Sequence, residues 1–135
     1  MSGALRKAVR EAAAAPLRVL PGFTEFSAWQ QSVDASALPG WAVATPSSRH
    51  ERLDNINTQS HSPLLVVVVK RTGAPEAIEA ALDDDADAIA PAVAAAVLQL
   101  AQTDCELVET AMRIDRSGAE PIGTLTLQFQ ITSYS

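Results

Sequence analysis

The chain has 135 residues, 47% hydrophobic but only 4% aromatic, and its 16 acidic against 10 basic side chains give a net charge of -6. That length suits one domain with one core, and the acidic balance argues against nucleic-acid binding driven by counterion release, which needs clustered Lys and Arg. One cysteine, Cys105, excludes an internal disulfide and fits a reducing compartment. The aliphatic run Leu64 to Val69 falls far short of the about 20 residues a membrane helix needs. The N-terminus MSGALRKAVREAAAAP lacks the apolar stretch of a signal peptide. A soluble protein made in the cytoplasm is expected.

Leu5, Ala8, Val9 and Ala12 fall on one helical stripe with Arg6, Lys7 and Arg10 opposite, so residues 4–15 read as an amphipathic helix ended by Pro16. Phe23 to Trp29 is a weak strand candidate, and Leu38-Pro39-Gly40 is a turn. Trp41 to Thr45 begins a strand whose polar continuation, Pro46 to Leu53, leads to a hairpin turn at Asp54-Asn55-Ile56-Asn57. Leu64 to Val69 is solidly aliphatic, which indicates a central strand covered on both faces. Pro63 cannot donate to a ladder and marks a bulge or the point where the hairpin leaves the sheet.

Gly73-Ala74-Pro75 opens a second helix, with proline suited to its first turn. Ile78, Leu82, Ala86, Ile89, Val93, Val97 and Leu100 form its buried stripe, and Pro91 inside it is expected to kink or split the helix. Two strands follow, Cys105 to Ile114 and Ile122 to Tyr134. The last is the clearest, because Leu125, Leu127, Phe129 and Ile131 alternate strictly with Thr124, Thr126, Gln128, Gln130 and Thr132. The order predicts a single α+β domain over 1–135. It is a two-layer sandwich of two helices, the second kinked, on one face of a mostly antiparallel or mixed sheet.

Chemistry is sparse. Asp83-Asp84-Asp85-Ala86-Asp87 is rich in carboxylates, but calcium loops interleave ligands with a glycine turn, and this run lies on a helix. Glu76, Asp83 and Asp87 align opposite Leu82 as a solvated acidic ridge, with divalent-ion binding as the alternative. His50 and His61 are the two histidines. They read as polar hairpin residues, and no Gly-x-Ser-x-Gly elbow or glycine-rich phosphate loop occurs. Cys105 reads as a structural thiol at a strand start. Trp29 and Trp41 are expected as core anchors, one or both. Nothing here marks an enzyme or a cofactor site.

The ordering itself carries a resemblance. A helix beginning Ala4-Leu5-Arg6-Lys7-Ala8-Val9 is followed by Leu38-Pro39 entering a strand, a polar hairpin and an apolar strand. Then come a helix with an internal Ile89-Ala90-Pro91 and a last strand Leu125-Thr-Leu-Gln-Phe-Gln-Ile-Thr132. Over residues 4–134 this resembles the tail terminator proteins of long-tailed bacteriophages, called minor tail protein U in lambda-like phages. Pro46 and Pro63 depart from the pattern in the middle hairpin. The resemblance implies a six-membered ring that caps the tail tube at its head-proximal end. Such a ring stops polymerisation, offers a surface for head-tail joining to a neck or head-completion protein, and lets DNA pass without specific binding.

On that reading Arg49, His50, Glu51, Arg52 and Asn57 of the hairpin, with Arg71 at the strand exit, are the expected partner contacts. The ridge Glu76, Asp83, Asp87 is expected to face the channel. A neck or tail-completion protein of the same particles is an alternative, and a small ligand-binding domain is another. The latter would require convergent polar groups that the sequence does not offer.

Overall fold

The computed structural model describes residues 2–27, 35–52, 59–116 and 120–134. Helix α1 spans Ser2–Arg18, strand β1 Thr24–Glu25 and β2 Gly40–Arg52, with a 3-10 turn at Ala35–Ala37 between them. Strand β3 spans Gln59–Thr72, helix α2 Pro75–Leu98, β4 Thr103–Asp115 and β5 Ile122–Tyr134. The sheet order is β1-β2-β3-β5-β4, with β1 parallel to β2 and every other pairing antiparallel. This is an α+β fold with both helices on one face of a mixed five-stranded sheet.

Strand β5 explains the arrangement. Its odd positions Leu125, Leu127, Phe129 and Ile131 are fully buried, and each contributes roughly 2 kcal/mol by leaving water. They meet Leu65, Val67 and Val69 of β3 and Trp41 of β2 on one sheet face, and Val9, Ala13 and Leu17 of α1 and Ile78, Leu82, Ile89, Val93 and Val97 of α2 close over them. The final strand lies between β3 and β4, so the C-terminal segment completes the middle of the sheet. At Gly123 the side chains of α2 press against the β5 backbone. A Cβ there would overlap Ile78 Cγ2 and sit 3.0 Å from Leu82 Cδ1.

Strand β3 is central, third of the five. The helices cover only its Leu65, Val67, Val69 face, while Leu64, Val66 and Val68 are half-buried on the other. Coverage on both faces, expected from the solid run, comes with βαβ crossovers; an antiparallel sheet can leave one face without a helical layer.

Prolines shift the boundaries. Helix α1 continues through Pro16 to Arg18, and α2 runs from Pro75 to Leu98 through Pro91 without splitting. Each proline removes one N–H from the helical ladder, but the residues after it still donate to the preceding turn. Pro46 lies where the β2–β3 register slips between Ala44 and Ser47. Pro63 pairs with Ser48, and β3 stays in the sheet beyond it, with Ser60 opposite Tyr134 of β5. The hairpin therefore does not leave the sheet at Pro63. Ala74 caps α2 in extended geometry with Pro75 next, as the Gly-Ala-Pro signal requires.

Candidate functional site

The described side chains converge in a groove between α1 and the β1–β2 edge. It has a volume of ≈ 450 Å³ and is lined by Arg6, Arg10, Arg18, Phe26, Val43 and Thr45 among others. Arg6 and Arg10 are one helical turn apart, so both reach the same point of β2. Arg6 Nη2 donates to the Thr45 carbonyl oxygen, and Arg10 Nη1 donates to Thr45 Oγ1 at 2.6 Å. Arg6 Nε is buried with no hydrogen-bond partner among the described residues. Arg6 and Arg10 thus turn toward the sheet edge, half-buried, while Lys7 stays exposed. A sequence stripe assigns all three to solvent. Long arginine stems instead lie along apolar surface with the charged head at its margin.

At the far end of the groove Arg18 links Glu11 at 3.2 Å and Glu25 at 3.5 Å. Hydrogen bonds to Glu11 and then Glu25 raise its pKa above the ordinary arginine value. Those two carboxylates are used by Arg18. Neither Arg6 nor Arg10 has a carboxylate partner among the described residues.

A second charged centre is closed within the chain. Arg71 Nε donates to Asp85 Oδ2 at 2.6 Å and Arg71 Nη2 to Asp85 Oδ1 at 2.9 Å, a bidentate fork. The Arg71 guanidinium also lies 4.9 Å from the Phe23 ring centroid. The hydrogen bond to Asp85 raises the Arg71 pKa more than burial lowers it. Arg71, expected at a partner interface, therefore has its guanidinium committed to Asp85 and Phe23.

Asp85 is 8% exposed and stands apart from the acidic run around it. At 100° per residue it falls on the stripe of Leu82 and Ile89, three before and four after, which was the signal available in the sequence. Glu76, Asp83 and Asp87 are exposed on α2.

In the hairpin, Arg49, His50, Glu51 and Arg52 lie in β2, opposite Ser62, His61, Ser60 and Gln59 of β3. The register places the two histidines directly across from one another. Asn57 lies outside the described residues, as do Trp29 and the turn at 54–57. Trp41 is a core residue, 1% exposed. Cys105 is half-buried opposite Ile131 on β4, and burial pushes its thiol up to about 11. Among the described residues no cluster of three His, Cys, Asp or Glu side chains could hold a metal ion, and no helix is long and apolar enough to cross a membrane.

No family model matches the chain, and no curated protein matches it. Among solved structures it is similar to a chain of the virion of a native gene transfer agent particle. The identity is 17% and the TM-score 0.47, over 98% of this chain and 96% of that one. At that identity and score the likeness fixes neither a family nor a role.

Proposed function

We propose that this protein is a structural tail terminator: a ring that caps a phage-type tail tube, halts its polymerisation and presents a surface for head-tail joining. The chain acts by shape and carries out no reaction. DNA passes through the ring, and the net charge of -6, repeated in every copy, opposes phosphate binding in the lumen. Its place is the head-proximal end of the tail, after assembly in the host cytoplasm.

The observation that carries this reading is a slab with two flanks free for lateral contact. Strand β4 ends the sheet order, and β2 from Ala42 onward has a strand neighbour on one side only among the described residues. A slab with two unlike flanks makes heterologous contacts, which close into a ring when the rotation between neighbours permits. The element order that carries the sequence resemblance is also the order of the fold. The groove at the β2 flank carries three guanidinium groups against Glu11 and Glu25, and with both carboxylates taken by Arg18 the Arg6–Arg10 end is suited to an anionic partner surface.

The test is binding to purified tail tube protein, read by light scattering and by the lengths of tubes polymerised with and without this chain. Shortened, uniform tubes capped at one end are the expected result. Binding to a portal or connector with no effect on tube length would make it a neck protein, and no effect on either would remove the reading.

A further inference from the structure

We propose that copies of this chain join through a charge-complementary contact in which the Arg6–Arg10 groove of one takes the Asp83–Asp87 ridge of the next. The inference rests on the ring reading only for closure of the assembly; the contact itself is between copies, whatever they cap.

The groove holds three guanidinium groups against two carboxylates, Glu11 and Glu25, and both carboxylates are paired with Arg18, which leaves Arg6 and Arg10 without one among the described residues. Each guanidinium carries five N–H donors, and the hydrogen bonds of Arg6 and Arg10 among the described residues go to Thr45 alone. Arg6 Nε is buried and unpartnered, so the donors left for a partner carboxylate are the guanidinium N–H groups of Arg6 and Arg10 that Thr45 does not take. In a chain with net charge -6, two such groups in one recess are the exception to the prevailing sign.

The ridge lies on the opposite flank. Helix α1 packs over β2 and β3, whereas α2 packs mainly over β4 and β5. Asp85 turns toward β3 to meet Arg71. At 100° per residue, Asp83 and Asp87 lie about 160° around the helix from Asp85, and Glu76 about 180°. The ridge therefore points away from the α1 side, while the groove opens at the β1–β2 edge. Groove and ridge are unlike surfaces at the two ends of one slab, the geometry of a head-to-tail contact rather than a two-fold one.

The β4 edge on the ridge side is poorly suited to strand addition. Its register slips between Leu107 and Glu109, and the extra residue, Val108, is 52% exposed beside charged Glu106 and Glu109. Side-chain contact, with Leu107 and Val108 as its apolar component, is what that flank can offer. This assigns the ridge to the space between subunits, where the family resemblance implies the channel.

The test is a charge swap read by sedimentation velocity at high protein concentration. The full chain is expected to associate in about 20 mM salt and to dissociate at about 500 mM, where the Debye length is far shorter. Asp83→Lys with Asp87→Lys, on the exposed helix face, and separately Arg10→Glu, are each expected to weaken association at least ~10-fold, with circular dichroism unchanged. Mixed one to one, the two variants present complementary pairs at both contacts, and association is expected to return. A full chain that stays monomeric in low salt overturns the proposal, as does an Asp83→Lys/Asp87→Lys protein that associates like the parent, or a folded mixture that stays monomeric. If Arg10→Glu does not fold, Arg10→Gln replaces it, with weakened association as its expected result and parent-like association overturning the contact. Tube capping is scored separately: capping without the groove–ridge contact removes only this inference, and the contact without capping removes only the terminator reading.

Discussion

Arg71 grips Asp85 through two parallel N–H···O bonds, at 2.6 and 2.9 Å, and in doing so ties the exit of β3 to the middle of α2. The Asp85 side chain is 10% exposed and that of Arg71 27%, so removing either partner strands a poorly solvated charge. Arg71→Ala or Asp85→Ala is expected to cost about 2 kcal/mol, less than a fully buried pair because Arg71 keeps some water. Replacing both, as Arg71→Met with Asp85→Leu, is expected to recover most of the loss, because the desolvation penalty disappears with the charges. Urea unfolding of the three proteins measures it. A double variant no more stable than either single would show that the fork stabilises by more than it costs in desolvation.

Legibility in the sequence followed how far one local rule could act alone. Strand β5 was legible because a period of two leaves one face for Leu125, Leu127, Phe129 and Ile131, and burial of that face decides the register. The stripe of α2 was legible for the same reason at a period of 3.6. Asp85 was hidden because composition groups it with Asp83, Asp84 and Asp87, although its phase belongs to Leu82 and Ile89. Arg6 and Arg10 were hidden because their partner, Thr45, is 39 and 35 positions away and no periodicity connects them. Strand β1, two residues long, depends on its parallel pairing with Gly40 and Trp41, a tertiary event with almost no local trace.

Gly123 offers a test of the helix–sheet fit. Its backbone φ is ordinary, so the constraint is space: an added Cβ would overlap Ile78 Cγ2. Gly123→Ala is expected to destabilise the domain by about 2 kcal/mol, the usual cost of overpacking a filled core. Ile78→Ala makes room at the same contact, so the double variant is expected to lose less than the sum of the two singles. Thermal unfolding checks the non-additivity.

Cys105 reports on the β4–core contact. Burial raises its thiol from an ordinary value near 9 to about 11, which favours the neutral form in the folded state. At pH 8 the folded protein then holds about a hundredfold less thiolate than the unfolded chain, and thiolate is the reacting species. Alkylation by iodoacetamide is expected to be slow in buffer and fast in urea. The linkage has a definite sign. With the folded pKa above the unfolded one, this contribution to stability is complete below pH 9 and falls away as pH rises toward 11. A Cys105→Ala protein is expected to show a shallower decline over that window.

The hairpin carries the last prediction. Arg49 and Arg52 lie on β2 opposite Ser62 and Gln59, at the end of the sheet remote from Gly40 and Lys70. If the hairpin meets the tube, Arg49→Glu with Arg52→Glu is expected to lower tube affinity at least tenfold, while the urea midpoint stays within the scatter of surface substitutions, about 0.5 kcal/mol. Pull-down with tube protein and tube-length measurement read the two effects apart. Tubes capped at the normal length by this folded variant would move the tube-binding surface away from the hairpin and onto the helical face or the slab flanks.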